Sequence, residues 1–373
     1  KIAIVIKSSI DLDSRVLSQI DSLSVNFRNN KICVFYLPDS PRKSKFKKNF
    51  IFKNIFLLTR KLPKSKFWQF FKLLEYCIVI FFKLKIFKPT IIHVHDENSI
   101  IGPLLYKFFN KSVKLIYDDH ELKNLPPKNL IENLMYFLEK KIYSNADLVI
   151  TTNNSRRKIA KSLFKPKKIY IIENWVYERG IKNLENHTIK LLNRIKKIKA
   201  EGKKIILHQG DLTIERGVLV IKKIMKQLNN DWVIFFIGTK KHKFDYYFKN
   251  AENIYYGDFV SNKDLKFIWE KMDSVIIFYD NSSLNNKYCA PNRLFLALNL
   301  GIPVIVNSDN PELQMLLNKY KIGISVSDYI QSKDLEKFFL KNDYYKNIAL
   351  TYLRNFEYTT KNHPIINIYK SID

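Results

Sequence analysis

Histidine and carboxylate side chains follow two apolar segments in the first half of the chain, at the point where each segment ends. His95 and Asp96 close the first segment, and Asp119 and His120 follow the second. An imidazole titrates near neutral pH and a carboxylate accepts protons, so this set could carry out acid–base chemistry or hydrogen-bond the hydroxyl groups of a substrate. The alternative for His120 is a strand-end histidine that bonds only to backbone.

Glycine and arginine follow apolar segments in the second half. Gly210 and Arg216 come after the segment 204–207, and Arg293 stands at the start of a helix predicted over Asn292–Leu300. Ligands of doubly wound sheets bind beyond the carboxyl ends of the strands. The free N–H groups at a helix N-terminus also attract anions. The second half therefore predicts an anion-binding site.

These residues carry no recognised signature of a metal or cofactor site. Mixtures of His and Asp suit several metals, but no H-E-x-x-H or similar spacing occurs. The first strand-to-helix turn, Lys7–Arg15, contains no glycine, and neither a G-x-G-x-x-G fingerprint nor a P-loop is present. We therefore predict no metal and no nicotinamide, flavin or other cofactor.

Short β-rich segments alternate with amphipathic helical segments along the whole chain. Helices are predicted at Ser14–Phe27 and Pro126–Ser144, among others. Continuous Val/Ile/Phe strands between helices indicate buried parallel strands, so the fold class is α/β with two Rossmann-like, doubly wound domains that face each other. The strands are predicted at 1–6, 31–37, 90–95, 113–117, 148–152, 169–172, 204–207, 232–237, 253–256, 274–279, 302–306 and 324–326.

Domain boundaries follow from a polar stretch that is rich in Lys and Asn. We predict an N-terminal domain over 1–175, a connector over 176–203 and a C-terminal domain over 204–345. The remaining segment, 346–373, reads as helical and carries no motif.

The composition gives a formal net charge of +29 at pH 7, which predicts attraction to nucleic acid, anionic lipid or phosphorylated substrates. A codon bias towards Lys, Ile and Asn is the alternative explanation. The three cysteines lack C-x-x-C spacing, which argues against a disulfide framework or zinc site and favours the cytoplasm. The opening KIAIVI predicts no signal peptide, and the apolar run Tyr76–Phe82 is shorter than the ~20 residues of a spanning helix.

The segment 41–88 concentrates Lys, Arg and aromatic residues, with Glu75 as its single acid. Cations that flank aromatic and aliphatic side chains are typical of a segment lying on anionic lipid. A solvated helix face with its aromatics in the core and a single-stranded nucleic-acid surface are the alternatives. We predict an anionic membrane surface as a partner, at the inner face of the plasma membrane, and no nucleic acid.

Seven blocks in register resemble the GT-B glycosyltransferases of the large GT4-like group. They are DSRVLSQIDSL (13–23), IIHVHD (91–96), LIYDDHEL (115–122), HQGDLTIERG (208–217), FFIG (235–238), IYYGDFV (254–260) and YCAPNRLFLALNLGIPVI (288–305). The resemblance spans nearly the whole chain.

The resemblance implies a donor site in the second domain and an acceptor site in the first. Arg216 matches the phosphate-contacting basic residue of the family, and His120 matches a histidine at the sugar end of the cleft, where a neutral imidazole would contact the sugar or acceptor. The implied donor-binding residues are Gly210, Arg216, Phe259, Tyr288, Asn292 and Arg293. The implied acceptor or cleft residues are Arg15, His95, Asp96 and Asp119, with His120 as the catalytic residue.

The sequence departs from the family pattern at Leu296, where relatives carry a glutamate that holds the ribose hydroxyls of the nucleotide. Leucine cannot accept a hydrogen bond. Three explanations follow: a different nucleotide, a ribose contact moved to Tyr288 or Asn285, or a non-catalytic paralogue.

The expected function is transfer of a hexosyl or related sugar from a nucleotide sugar to a surface glycan of the bacterial cell envelope, of capsule or lipopolysaccharide type, with a lipid-linked glycan among the candidate acceptors. The reaction is expected to be metal-independent. The alternatives are a non-catalytic GT-B binding subunit and a sugar-nucleotide epimerase or hydrolase on the same fold.

Overall fold

The protein is represented by a computed structural model, which describes residues 1–8, 10, 13–37, 50–63, 65–123, 126–127, 129–174, 184–239, 241–249, 251–261, 264–307, 309–331, 344–348, 350 and 360–372. The chain divides into two compact units. One is Lys1–Glu173 with Tyr358–Asp373, and the other is Asn174–Glu357. Parts of the basic segment (41–49), of the connector (176–183) and of the C-terminal segment (349, 351–359 and 373) lie outside the described residues.

The first unit is built on a parallel sheet of order β3-β2-β1-β4-β5-β6-β7. Its strands are β1 (Ile2–Ile6), β2 (Ile32–Tyr36), β3 (Phe50–Asn54), β4 (Ile91–His95), β5 (Lys114–Asp118), β6 (Leu148–Thr151) and β7 (Ile169–Ile171). Its helices are α1 (Ser14–Asn26), α2 (Lys66–Phe87), α3 (Ile101–Phe109), α4 (Leu130–Asn145) and α5 (Asn154–Phe164).

The second unit repeats the design, with a parallel sheet of order β10-β9-β8-β11-β12-β13. Its strands are β8 (Lys204–Gln209), β9 (Trp232–Ile237), β10 (Ile254–Gly257), β11 (Ser274–Ile277), β12 (Val304–Val306) and β13 (Gly323–Ser325). Its helices are α6 (Asn186–Ala200), α7 (Val218–Met225), α8 (Lys241–Phe248), α9 (Leu265–Trp269), α10 (Leu284–Lys287), α11 (Asn292–Leu300), α12 (Pro311–Tyr320) and α13 (Val326–Gln331). The predicted α/β class with two Rossmann-like domains is confirmed.

The central strands are buried along their whole length, as apolar segments covered by helices on both faces must be. A last helix, α14 (Ile365–Lys370), packs against α1 in the first unit, and its Tyr369 is fully buried. The chain end therefore completes the core of the first unit, which the sequence did not predict.

Three local features of the structure differ from the sequence predictions or go beyond them. Helix α4 begins at Leu130 and not at Pro126, because the Asn129 side chain accepts a hydrogen bond from the N–H of Glu132 and caps the helix there. Strand β3 was not predicted, since it is an edge strand with mostly exposed side chains. The predicted connector contains α6, which buries an apolar stripe.

Within the described residues, no helix combines the length and apolar character that crossing a bilayer requires.

Candidate functional site

A buried ion pair marks the carboxyl edge of the first sheet. The carboxylate of Asp118, at the end of β5, receives Nη2 of Arg15 at 2.7 Å and Nε2 of Gln19 at 2.7 Å. Burial alone would raise the pKa of Asp118, but Arg15 and His120 hold it well below its usual range. The Arg15 guanidinium also donates to the carbonyl of Ile172, just beyond β7, so its position is fixed from two sides. Arg15, predicted as an acceptor residue, is therefore a buried partner of Asp118.

His120 lies beside this carboxylate. Its Nε2 is 3.2 Å from Nδ1 of His95 and 3.6 Å from Oδ2 of Asp118, and its Nδ1 is 3.3 Å from Oδ1 of Asp96. Burial lowers the pKa of His120, but Asp96 and Asp118 outweigh burial and raise it to about 9. The imidazole is therefore charged at neutral pH. The family resemblance implied a neutral His120 ring, but the two carboxylates that flank the ring favour the charged form.

The positive charge on His120 determines which ring nitrogen of His95 carries a proton. Both nitrogens of an imidazolium are donors, so Nδ1 of His95 must accept the hydrogen bond. Burial lowers the pKa of His95 well below its usual value, consistent with a neutral ring. His120 thus presents a fixed positive charge at the edge of the first sheet, with a side chain that is 13% exposed.

The backbone around Asp96 and Asp119 is also constrained. Asp96 adopts φ 61°, which is rare for a residue other than glycine and is common at functional sites. Asp119 is buried, and Tyr143 donates to it at 2.6 Å. Burial raises the pKa of Asp119 to about 6. The structure thus brings together all the acceptor-side residues that the sequence predicted.

His93 and Asp13 join this cluster, although neither was predicted as a site residue. His93 is buried, stacks on His95 at 4.2 Å between ring centroids and meets the Tyr369 hydroxyl at 3.1 Å. Asp13 lies 3.9 Å from His120. The strand-end position of His93 was a signal for it. The contact with Tyr369 had none, because 276 residues separate the two.

Two groups in this cluster have the geometry of metal ligands. The ligand atoms of each group lie within 4.8 Å of one another: His93, His95 and Asp118 in one, and Asp13, Asp96 and His120 in the other. In the first group the guanidinium of Arg15 already neutralises Asp118. In the second, a cation would have to displace the proton of His120. These residues therefore fit a metal poorly, and metal independence stays a prediction.

In the second unit, a backbone turn and two arginines meet at the end of β8. Gly210 has φ 121°, and Arg293 donates through Nη1 to the carbonyl of Gln209. A Cβ on Gly238 would lie 2.6 Å from the carbonyl oxygen of Gly210, so only glycine fits at that position. The turn is thus held tightly against the neighbouring strand end.

Tyr279 joins the two arginines. The guanidinium carbon of Arg216 lies 3.9 Å from the centre of its ring, and Nη2 of Arg293 donates to its hydroxyl at 2.7 Å. Asn307 holds the backbone of Tyr279 through both its amide oxygen and nitrogen. Tyr279 was not predicted as a site residue, although an aromatic residue just beyond a parallel strand is a signal for a ligand site.

One nitrogen of the Arg216 guanidinium makes no hydrogen bond to the described residues. This nitrogen, Nη1, is buried. A buried donor without a partner is costly in free energy, so this nitrogen is suited to an anionic ligand. Burial, together with Arg293, lowers the pKa of nearby His208 to about 3, so that ring is neutral.

The remaining predicted donor residues lie around this pair. Asn292 is exposed and, with Arg293, begins α11, whose N-terminus has no side-chain cap. Tyr288 is half-buried at the end of α10. Phe259 is 52% exposed beyond β10, and no contact in the described residues ties it to the arginines. Leu296 is buried within α11.

Residues 28–178 match the family model described as Glycosyltransferase Family 4. Among curated protein sequences, none matches the chain.

Solved structures resemble the whole chain. A glycosyltransferase from Rickettsia africae is 15% identical with a TM-score of 0.67, covering 100% of this chain and 98% of the other. WaaG, a glycosyltransferase involved in lipopolysaccharide biosynthesis, is 11% identical with a TM-score of 0.66, covering 99% of each chain. HepE of Anabaena, solved in complex with UDP-glucose, is 12% identical with a TM-score of 0.67, also covering 99% of each. At these identities the likeness shows the fold, and the predicted resemblance to GT-B proteins is confirmed.

Proposed function

We propose that this chain, a GT-B-fold protein whose residues 28–178 match glycosyltransferase family 4, transfers a sugar from a nucleotide sugar to a glycan acceptor. The observation that carries the proposal is the pair Arg216 and Arg293 around Tyr279, in which one buried guanidinium nitrogen finds no hydrogen-bond partner in the part of the chain that the structure describes. Such a pair suits the phosphate of an activated sugar.

The chemistry needed at this pair is charge stabilisation. When the bond between the anomeric carbon and the phosphate oxygen breaks, negative charge grows on the phosphate. Two guanidinium groups and the N-terminus of α11 oppose that charge without reorganisation. These protein groups supply the cationic environment, so the proposed reaction needs no metal.

His120 supplies a second fixed charge, at the acceptor side. As an imidazolium it cannot accept a proton, and its two N–H groups face His95 and Asp96, so we assign it to holding the Asp96 carboxylate in place for the sugar or acceptor. Burial raises the pKa of Asp119 to about 6, but its side chain is buried and already accepts a hydrogen bond from Tyr143, so it is poorly placed to take a proton from a substrate. Asp96, whose side chain is 32% exposed and whose pKa is raised by burial, is the better candidate to accept the proton of an acceptor hydroxyl.

We also propose the chemical class of the donor and that of the acceptor. The similar structure solved with UDP-glucose supports a uridine nucleotide sugar, and WaaG supports a surface glycan of lipopolysaccharide type. We further propose a lipid-linked acceptor and a location at the inner face of the plasma membrane, in line with the net charge of +29.

A thermal-shift panel of UDP, GDP, ADP and CMP sugars tests the donor site. One nucleotide sugar should raise the melting temperature of the wild type, and Arg216→Ala should remove the shift. Lys222→Ala is the matched control, because Lys222 also lies over aromatic rings of the second unit, at 5.3 Å from Tyr247. The absence of a shift with every sugar would count against the proposal.

One observation favours a second candidate function, a non-catalytic binding subunit. Leu296 is buried where the family carries its ribose-binding glutamate, so one donor contact is absent. Losing a charged hydrogen bond costs about 1.5–3 kcal/mol, which weakens donor binding without preventing chemistry. Sugar transfer by the purified chain would exclude this candidate.

A further inference from the structure

Three neighbouring helices of the first unit expose an unusual number of large apolar side chains. We call this set the apolar face. It comprises Phe67, Phe70, Phe71, Leu74, Ile78, Phe82 and Ile86 of α2, Leu105, Phe108 and Phe109 of α3, and Leu130, Ile131, Leu134 and Phe137 of α4, each between 38% and 87% exposed. Contiguous exposed apolar patches of this kind mark interaction sites.

Helix α2 is apolar on two opposite sides. Tyr76, Ile80 and Leu84 on its inner side are fully buried in the core. On the outer side Leu74, Ile78, Phe82 and Ile86 recur every four residues, which places them in one stripe along the helix. A surface helix in water carries polar residues on its outer side, so the stripe indicates that something other than water covers it.

The parts of the face on α2 and α3 are continuous. Phe81 lies 5.5 Å from Phe82 and 5.9 Å from Phe109, between ring centroids, and Phe109 lies 5.3 Å from Phe108. Helix α3 also packs against α4. The three helices are therefore neighbours, with α3 in the middle, and their exposed apolar side chains adjoin one another.

The charges around the face are cationic. Exposed cations flank it on all three helices and their ends: Arg60, Lys61, Lys85, Lys88, Lys111, Lys140 and Lys141. The acids of these helices are engaged within the unit. Glu75 accepts from the N–H groups of Leu58 and Thr59, Glu132 accepts from Asn129, and buried Glu139 lies 3.5 Å from Lys123. Apolar side chains rimmed by cations fit an anionic bilayer.

We propose that the outer sides of α2, α3 and α4 form a docking face for an anionic phospholipid bilayer. Helices α2 and α4 follow parallel strands and run back across the sheet, so their N-terminal ends lie at its carboxyl edge, as does His120. The face therefore reaches the edge that holds the candidate acceptor residues. This inference rests on the proposed function in one respect: the docked membrane supplies the lipid-linked acceptor to that edge.

Vesicle flotation of the full chain without nucleotide tests the face. The wild type should float with vesicles of equimolar phosphatidylglycerol and phosphatidylcholine, and bind weakly to phosphatidylcholine alone. The triple variant Ile78→Ser, Phe82→Ser, Phe108→Ser should bind the vesicles more weakly. Each large side chain that is removed should lower the vesicle affinity by about tenfold or more. The variant Lys85→Glu, Lys140→Glu should bind both kinds of vesicle equally, and its vesicle binding should no longer depend on the salt concentration.

The matched control is Leu219→Ser, Tyr246→Ser, Met315→Ser, which replaces exposed apolar residues of the second unit and should bind vesicles as the wild type does. The nucleotide-induced thermal shift should persist in the triple variant, which shows that it folds and separates this test from that of the donor site. Equal flotation of the wild type and the triple variant would overturn the proposal. So would a wild-type dimer in sedimentation equilibrium that the triple variant converts to monomer, since a second copy would then cover the face.

Discussion

The guanidinium carbon of Arg216 lies 3.9 Å from the centre of the Tyr279 ring, so the cation stacks on an aromatic face, while one of its nitrogens has no hydrogen-bond partner within the described residues. The stacking holds the guanidinium in one orientation before any ligand arrives. A pre-oriented cation binds an anionic group with less loss of side-chain entropy. This relationship is the basis of the proposed donor site.

Removing the hydroxyl of Tyr279 tests the link between the two arginines. Tyr279→Phe keeps the ring beneath Arg216 but leaves Nη2 of Arg293 without its acceptor. We expect nucleotide-sugar affinity to fall by about three- to tenfold, the usual worth of one hydrogen bond. Isothermal titration calorimetry measures it. Tyr255→Phe, with its ring near Arg194, is the control and should leave the affinity unchanged.

Adding a methyl group at Gly238 should displace the donor turn. The new Cβ would lie 2.6 Å from the carbonyl oxygen of Gly210, and backbone cannot give way cheaply. We expect Gly238→Ala to weaken donor binding by tenfold or more. Gly202→Ala is a control for the methyl group itself, since no described residue has an atom within 4 Å of the added Cβ, although the φ of 78° at Gly202 costs some stability. Equal donor affinity in both variants would show that the turn does not bind the donor.

The charge on His120 predicts a pH dependence of stability. Its pKa in the folded protein is about 9, above the value of about 6.5 for an unfolded chain, because the Asp96 and Asp118 carboxylates outweigh its burial, with Asp13 also nearby. The stabilisation is therefore complete below about pH 6.5 and is lost as the pH rises through 9. It amounts to roughly 3 kcal/mol.

Urea unfolding of the wild type and His120→Gln across this range measures that effect. The difference in unfolding free energy between the two should shrink steadily between about pH 6.5 and 9. His208→Gln serves as the comparison, because the pKa of His208 is lowered to about 3 and its ring does not titrate in this window. A constant difference across the range would mean that His120 is neutral in the folded protein.

The buried pair Arg15 and Asp118 should be needed for stability. Arg15→Met removes the cation that pairs directly with the buried Asp118 carboxylate, leaving only His120 at 3.6 Å, and should lower the unfolding free energy of the first unit by about 3 kcal/mol. The double variant Arg15→Met, Asp118→Asn should recover most of this loss, because the uncompensated charge is removed. Lys158→Met, an exposed cation on α5, should change stability little. Additive losses in the double variant would show that the two side chains are not coupled.

The sequence predicted the fold well because its strands are continuous apolar segments, which read as buried parallel strands without any contact information. Edge strand β3 lacked that signal. The residues His95, Asp96, Asp119 and His120 stood out because they follow two such segments, and the family resemblance placed them together on the acceptor side. The charge on His120 could not be predicted, because it depends on distances to carboxylates of other strands and loops. Tyr369 beside His93 is a contact that only the folded chain creates.

The most direct measurement of the central claim is sugar transfer by the purified chain. The protein is incubated with the nucleotide sugar identified by thermal shift, with and without a bacterial glycolipid extract, and the labelled sugar is followed into lipid. We expect labelled lipid to form only when the extract is present. Arg216→Ala and Arg293→Ala should each lower the rate by about a hundredfold or more, the scale seen when a group that stabilises transition-state charge is removed. Consumption of the nucleotide sugar at the same rate without any acceptor would contradict the central claim, because that result describes a hydrolase or an epimerase.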